Sequence, residues 1–193
     1  MRDWKQTVNE YKARDTFDDD VAAHRACQLA ATASTLGTYA VGAVLLDDNG
    51  RVLSEGHNET FINGFRSDLH AEMVVLNKFE TEHQNSIKPS TLTLVSSLEP
   101  CPMCTARLIY AGIGTVRYVC SDPHAGMVSR ITSLPPKLKE ITAALSQSWA
   151  PAKCSAELRH AAQQLWEQSR NTIDQQLVER GIGRDISSEN ERD

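Results

Sequence analysis

The sequence predicts an α/β fold, with one sheet carrying helices on both faces, on three observations. Apolar residues recur at helical spacing near both ends of the chain and at strand spacing between them. Two apolar runs flank DDNG at 47–50, the pattern of a hairpin. Beyond it, strand-like TLTLVSS, a helix-like segment at 102–111 and strand-like GTVRYVCS follow one another, as in a sheet whose strands are joined by helices.

Taken in order, residues 2–14 put Trp4, Val8 and Tyr11 on one helical stripe. The DDD at 18–20 can cap a second helix reaching about Thr35, with Ala22, Ala26, Leu29 and Ala33 inward. The hairpin occupies about 38–58, its Asn49 and Gly50 suited to left-handed conformations in the turn. Residues 58–69 are irregular, and a helix runs from about Ala71 to Phe79. A strand then ends at Pro100, and Pro102 suits the first turn of a helix reaching about Ala111. After the strand GTVRYVCS, the segment LPPKLKEITAAL is expected as a helix with Leu138, Ile141 and Leu145 inward. Ser155 can cap a long last helix bearing Leu158, Ala162, Leu165, Trp166 and Ile173 on one stripe. No convincing fifth strand is visible after YVCS; SQSWAPAKC is a weak candidate, and the sequence leaves open whether one exists.

The 193 residues suit a single domain, 1–193, with a frayed acidic tail at 182–193. A hydrophobic share of 40% excludes a disordered or fibrous chain. The longest apolar run, YAVGAVLL, is too short for a membrane helix, and the charged N-terminus is no signal peptide, so a cytoplasmic location is expected. A net charge of −5 lowers the expectation of a general nucleic-acid binder. From residue 137 onward eight Lys/Arg meet nine Asp/Glu, so the tail is no basic arm.

Five cysteines do not form a disulfide framework, and two of them, Cys101 and Cys104, make a CxxC at a helix start. Both sulfurs then share one face, and the positive end of the helix dipole favours thiolates there. His70 opens the other predicted helix. With it the two cysteines make three ligands for Zn2+ and leave a fourth position for water, the mark of a catalytic rather than a structural zinc site. Glu72, in the first turn, can reach that position as a general base. The alternatives are a structural zinc knuckle, with Cys120 or His124 as fourth ligand, and a redox CxxC.

HAE at 70–72 followed by PCPMC at 100–104 is the H-x-E…P-C-x-x-C pattern of zinc deaminases. Over about residues 20–130 the chain resembles the cytidine deaminase-like superfamily. LEPCPMC and HAEM look most like its guanine deaminase and tRNA adenosine deaminase branch, and LIYAGI is also similar to deoxycytidylate deaminases. The resemblance implies a three-layer α/β/α fold with a mixed central sheet and extra C-terminal helices. It implies a catalytic core at about 18–134, a helical extension at about 135–181 and one Zn2+ per chain. It further implies hydrolytic removal of an exocyclic amine, with His70, Cys101 and Cys104 as ligands and Glu72 moving the protons. Asn58 of EGHN and the backbone of Ala71 are implied as base contacts, with Asp122 and His124 of SDPHAGM as further pocket residues. Phe65 and Arg66 precede His70 and can line an entrance, and Glu99 is a motif residue without a derivable role. A homodimer is implied as well. The expected substrate is a small purine or pyrimidine, purine favoured. The alternatives are tRNA or single-stranded nucleic acid, or a zinc module without catalysis. FRSDLHAE and the neutral tail depart from the tRNA-acting enzymes.

Overall fold

The computed structural model describes residues 3–83 and 86–181. The tail predicted at 182–193 lies outside the described residues. Two helices precede the sheet, the short α1 (Trp4–Glu10) and the longer α2 (Asp20–Thr35). Strands β1 (Gly42–Leu46) and β2 (Val52–His57) form the hairpin. Then come α3 (Ala71–Glu82), β3 (Thr93–Leu98), α4 (Pro102–Ala111), β4 (Thr115–Cys120), α5 (Pro136–Ala144), β5 (Ser148–Pro151) and α6 (Ala156–Glu179). The strand order is β2-β1-β3-β4-β5. β1 is antiparallel to β2 and β3, while β3–β4 and β4–β5 are parallel, so the sheet is mixed as expected.

Close packing puts α2 against β1 where Gly42 leaves no room: a Cβ there would lie 2.3 Å from the Ala26 carbonyl oxygen. α1 and α6 join α2 on that face. α3 covers the other face, meeting Gly56 of β2 through Val74 and Val75. Beside α3 lies α4, joined to it by Arg107, whose guanidinium bonds Glu80 at 2.7 Å. The core between the layers is built from Val44, Leu45, Leu76, Leu94, Leu108 and Leu158, all buried.

A fifth strand exists: Ser148–Pro151 pairs with Thr115–Tyr118 at the sheet edge, where Pro151 removes no needed donor. Several expectations are corrected. Only Gly50 of the turn has positive φ (+76°); the Asp47 carboxylate takes the N–H groups of Asn49 and Arg51, so Asn49 stays out of the left-handed region. Of the four α2 residues expected inward, Ala26, Leu29 and Ala33 are buried and Ala22 is only half-buried, its place taken by Ala23, with Cys27, Ala30 and Ala31 buried besides. α5 buries no side chain fully: Leu138 and Ile141 are half-buried and Leu145 is exposed, because the helix packs on the outer side of α4.

Asp20 does not serve as the cap. It is fully buried, and its carboxylate ties together three separate pieces of chain. Oδ2 accepts from the Tyr11 hydroxyl (2.7 Å) and the Arg14 N–H (2.8 Å), and Oδ1 accepts from the Ser155 N–H (2.9 Å). Burial pushes its pKa up, but these hydrogen bonds outweigh that and hold it below the usual carboxylate range. A depressed folded-state pKa contributes stability above the unfolded value, about 3.9, which is lost as pH falls toward the folded value. Asp20→Asn is therefore expected to cost about 2–4 kcal/mol at neutral pH, through donors left buried and unpaired. Urea titration should show that loss at pH 7 and a flatter fall in stability below pH ~4 than in the parent chain.

Candidate active site

Two helix starts meet at the site. His70 stands at the N-cap of α3 and Cys101 at the N-cap of α4, both with extended backbone, and Cys104 sits one turn into α4. Pro102 opens α4 where no N–H is needed. The His70 Nδ1 lies 3.6 Å from the Cys101 sulfur and 3.6 Å from the Cys104 sulfur. Zinc bonds of ~2.3 Å to sulfur and ~2.0 Å to nitrogen, at a tetrahedral angle, give an N···S edge of about 3.5 Å. The three side chains thus fit Zn2+ in both donor chemistry and spacing, and among the described residues no other His, Cys, Asp or Glu completes the group. Cys120 is spoken for elsewhere, its S–H donating to the Ser97 carbonyl at 3.1 Å.

Without metal, the three groups share protons unequally. The Cys104 S–H, followed by His70, holds the Cys101 thiol down to about 4. The Cys101 sulfur, with burial second, pushes the Cys104 thiol well up. Burial pulls the His70 imidazole down, but Cys101 and the charge of Glu72 more than offset it.

Glu72, in the first turn of α3, is buried, and burial raises its pKa. Its Oε2 lies 3.4 Å from the Cys104 sulfur and its Oε1 accepts from the Ser96 hydroxyl at 3.2 Å. His70, Glu72 and Cys101 all face one cavity of about 300 Å³. Asn58 follows β2 and lines the same cavity. Its Oδ1 accepts from the Thr38 hydroxyl (2.6 Å) and the Thr60 N–H (3.0 Å), which leaves the amide NH2 as the end offered to a ligand. Asp122 is buried and lines the cavity too, with Oδ1 accepting from the N–H groups of His124 and Ala125.

Not every expected residue comes to the cavity. His124 is exposed and absent from its lining, and only its backbone N–H takes part, by holding Asp122. For Ala71 the expectation concerns its backbone, at the start of α3 next to His70; its side chain packs in the core. Phe65 lines the cavity and Arg66 does not, bonding Asp68 instead. Glu99 acquires a role that its position in the motif could not show. Its carboxylate accepts from the N–H groups of Ser129 (2.7 Å) and Asp122 (3.2 Å), clamping the loop that carries Asp122. Gly126 is needed there, since a Cβ would land 2.5 Å from Glu99 Oε2.

Sequence reasoning missed the roof of the cavity. Trp166 and Leu177 of α6 line it together with Tyr39 and Thr60. Their spacing of three helical turns was the available signal. α6 is held over the site by the Tyr39 hydroxyl, which donates to Asp174 at 3.0 Å, and by Arg180, stacked 5.4 Å from the Phe61 ring and 6.0 Å from the Phe65 ring.

Fold and site together define a zinc-binding α/β domain in which a buried carboxylate stands beside the coordination position that no described side chain fills. The chain belongs to the family of the cytidine and deoxycytidylate deaminase zinc-binding region, whose model matches residues 17–120. It is 32% identical over 117 residues to the tRNA-specific adenosine deaminase of Haemophilus influenzae, covering 61% of this chain and 66% of that one. To the same-named protein of Bacillus subtilis it is 29% identical over 116 residues, 60% of this chain and 70% of that one. To the tRNA(Ile)-lysidine synthase of Deinococcus deserti it is 33% identical over 117 residues, 60% of this chain but 21% of the synthase. The chain therefore spans about two thirds of the first relative and about a fifth of the synthase. A solved structure from work on A-to-I editing by tRNA:A34 deaminases superposes with a TM-score of 0.59 at 26% identity, over 72% of this chain and 94% of that one. The guanine deaminase of Nitrosomonas europaea shares the fold, with a TM-score of 0.59 at 17% identity, over 89% of this chain and 94% of that one.

Proposed function

We propose that this protein is a zinc-dependent hydrolase that removes the exocyclic amine of a small purine or pyrimidine, purine favoured, consuming water and releasing ammonia. The observation that carries this reading is that Glu72, Asn58 and two of the three ligands, His70 and Cys101, face one roofed cavity of about 300 Å³, with Cys104 completing the group beside them. That volume is at the low end of ligand pockets, roughly 300–1,000 Å³, and suits one base with little attached. Bound Zn2+ would supply a water nucleophile with a pKa lowered from 15.7 to about 7. Glu72 would take one proton from the attacking water and give it to the ring nitrogen, then take the remaining hydroxyl proton and give it to the amine, which leaves as ammonia while the ring carbon keeps the oxygen. The Asn58 amide would donate to an oxygen or ring nitrogen of the base, and Asp122 would accept from an N–H. The purine preference rests on the relatives that are 32% and 29% identical, both tRNA-specific adenosine deaminases.

Within this proposal residues 18–134 carry the catalytic groups, and 135–181 add the fifth strand and the roof. A homodimer and a cytoplasmic location belong to the same reading. Met103 and Tyr110, exposed on the outer face of α4, offer apolar surface to a second copy. No helix among the described residues is long and apolar enough to cross a membrane.

A second reading, deamination within tRNA, is favoured by the tRNA-specific adenosine deaminase relatives and by the 26% identical structure. The roof of Trp166 and Leu177 and the net charge of −5 support the small substrate instead. An ammonia-release panel decides between them. It spans guanine, adenine, cytosine, their nucleosides and nucleotides, and an oligonucleotide. Turnover of a free base or nucleoside, with none on the oligonucleotide, is the expected result. Turnover confined to the oligonucleotide, with binding that weakens steeply as salt rises, would replace it with the editing reading. Silence on every substrate by zinc-loaded protein would leave a zinc module without catalysis.

A further inference from the structure

A carboxylate that takes and gives a proton in every turnover needs a partner that holds it in either state. Glu72 has few to choose from. Its Oε2 lies beside the Cys104 sulfur at 3.4 Å, and its Oε1 beside the Ser96 hydroxyl at 3.2 Å. The first contact cannot survive metal binding: a ligating cysteine is a thiolate and has no proton to donate. Ser96 then remains the side chain that grips Glu72.

Ser96 occupies an unusual place for a hydroxyl. It is fully buried in the middle of β3, the central strand of the sheet, paired with Ala43 on one side and Tyr118 on the other. The next residue, Ser97, has a plain structural task, its Oγ accepting from the Gly42 N–H at 3.0 Å. Ser96 has no comparable backbone contact; its partner is Glu72. A hydroxyl rotates, so it can donate to the carboxylate and accept from the carboxylic acid without moving its oxygen. Held through Oε1, Glu72 keeps Oε2 on the side of Cys104 and the metal ligands.

We propose that Ser96 is a positioning residue for the deamination, fixing the Glu72 carboxyl so that Oε2 carries the transferred proton. The inference rests on the reading of Glu72 as the proton carrier. The test uses the zinc-loaded full chain, with Ser96→Ala and Ser96→Thr assayed on whichever substrate the parent turns over. Ser96→Ala is expected to lower kcat about 10- to 100-fold, the range for a lost hydrogen bond to a charged group. KM and zinc content should stay within about twofold. Ser96→Thr, which keeps the hydroxyl, is expected to recover most of the rate. Should threonine prove too large to fold, Ser96→Cys, close in size but a weak donor, is expected to behave like alanine. A second readout needs no turnover: the Glu72 carboxyl band, identified by difference infrared against Glu72→Gln, should shift and broaden in Ser96→Ala. A parent-like kcat in Ser96→Ala, a loss confined to KM or zinc content, or an unmoved Glu72 band would each overturn the inference. A parent silent across the whole panel would instead refute the deaminase reading, while the infrared comparison still decides whether Ser96 holds Glu72.

Discussion

Replacing Glu72 by glutamine is expected to leave the metal and the fold in place and to lower turnover by about 10⁴-fold, the upper end for a positioned general acid–base group. Glutamine has nearly the same shape and can still meet the Ser96 hydroxyl, so the cavity should keep its form. It cannot accept and return a proton near neutral pH, and the proposed reaction asks Glu72 to do so at two points, the ring nitrogen and the leaving amine. The site shows no obvious substitute. Asp122 and Glu99 are the other buried carboxylates of the cavity; the first has Oδ1 engaged by two backbone N–H groups and the second is engaged by two more. Metal analysis and steady-state assay of the purified variant check both halves together. A near-parental rate would remove Glu72 from the chemistry, and loss of metal would recast it as part of the coordination shell.

Removal of either cysteine is expected to empty the site. Cys101→Ala and Cys104→Ala each leave two protein ligands where catalytic zinc sites have three, and zinc should fall from one equivalent to below about a tenth. The consequences should differ beyond that. Cys104 is fully buried beneath the cavity, whereas Cys101 is half-exposed at its wall. Cys104→Ala also leaves a small void in the core and should unfold at lower denaturant than Cys101→Ala. Elemental analysis with a urea titration of both variants measures the two effects. A full equivalent of zinc in both would reject the ligand set.

The reason the metal centre was readable from sequence is that its chemistry is compressed into two short segments at helix starts, HAE and PCPMC, whose ligands need only two elements to converge. The sheet order was less accessible. β5 spans four residues at an edge, half of them exposed, and carries a proline, so neither alternation nor β-propensity marks it. It exists because β4 offers it a parallel edge, a tertiary cause. Periodicity placed α5 but misjudged its environment, since amphipathic spacing reveals a stripe and not what covers it. Trp166 shows the same limit. Its stripe was legible as core, yet part of that stripe turns out to face a cavity, a distinction that depends on where residues 39–41 and the 58–69 segment leave space. Glu99 is the opposite case: a motif residue whose partners, Ser129 and Asp122, lie far along the chain.

α6 closes a chamber whose floor comes from segments far from it in the sequence, so the lid and the metal centre belong to separate parts of the chain. The three ligands stand at the start of α3 and at the start of α4, and none of them is on α6. Loosening α6 should therefore change which molecules reach the cavity while leaving the grip on the ion intact, so selectivity and metal retention can vary independently in this chain.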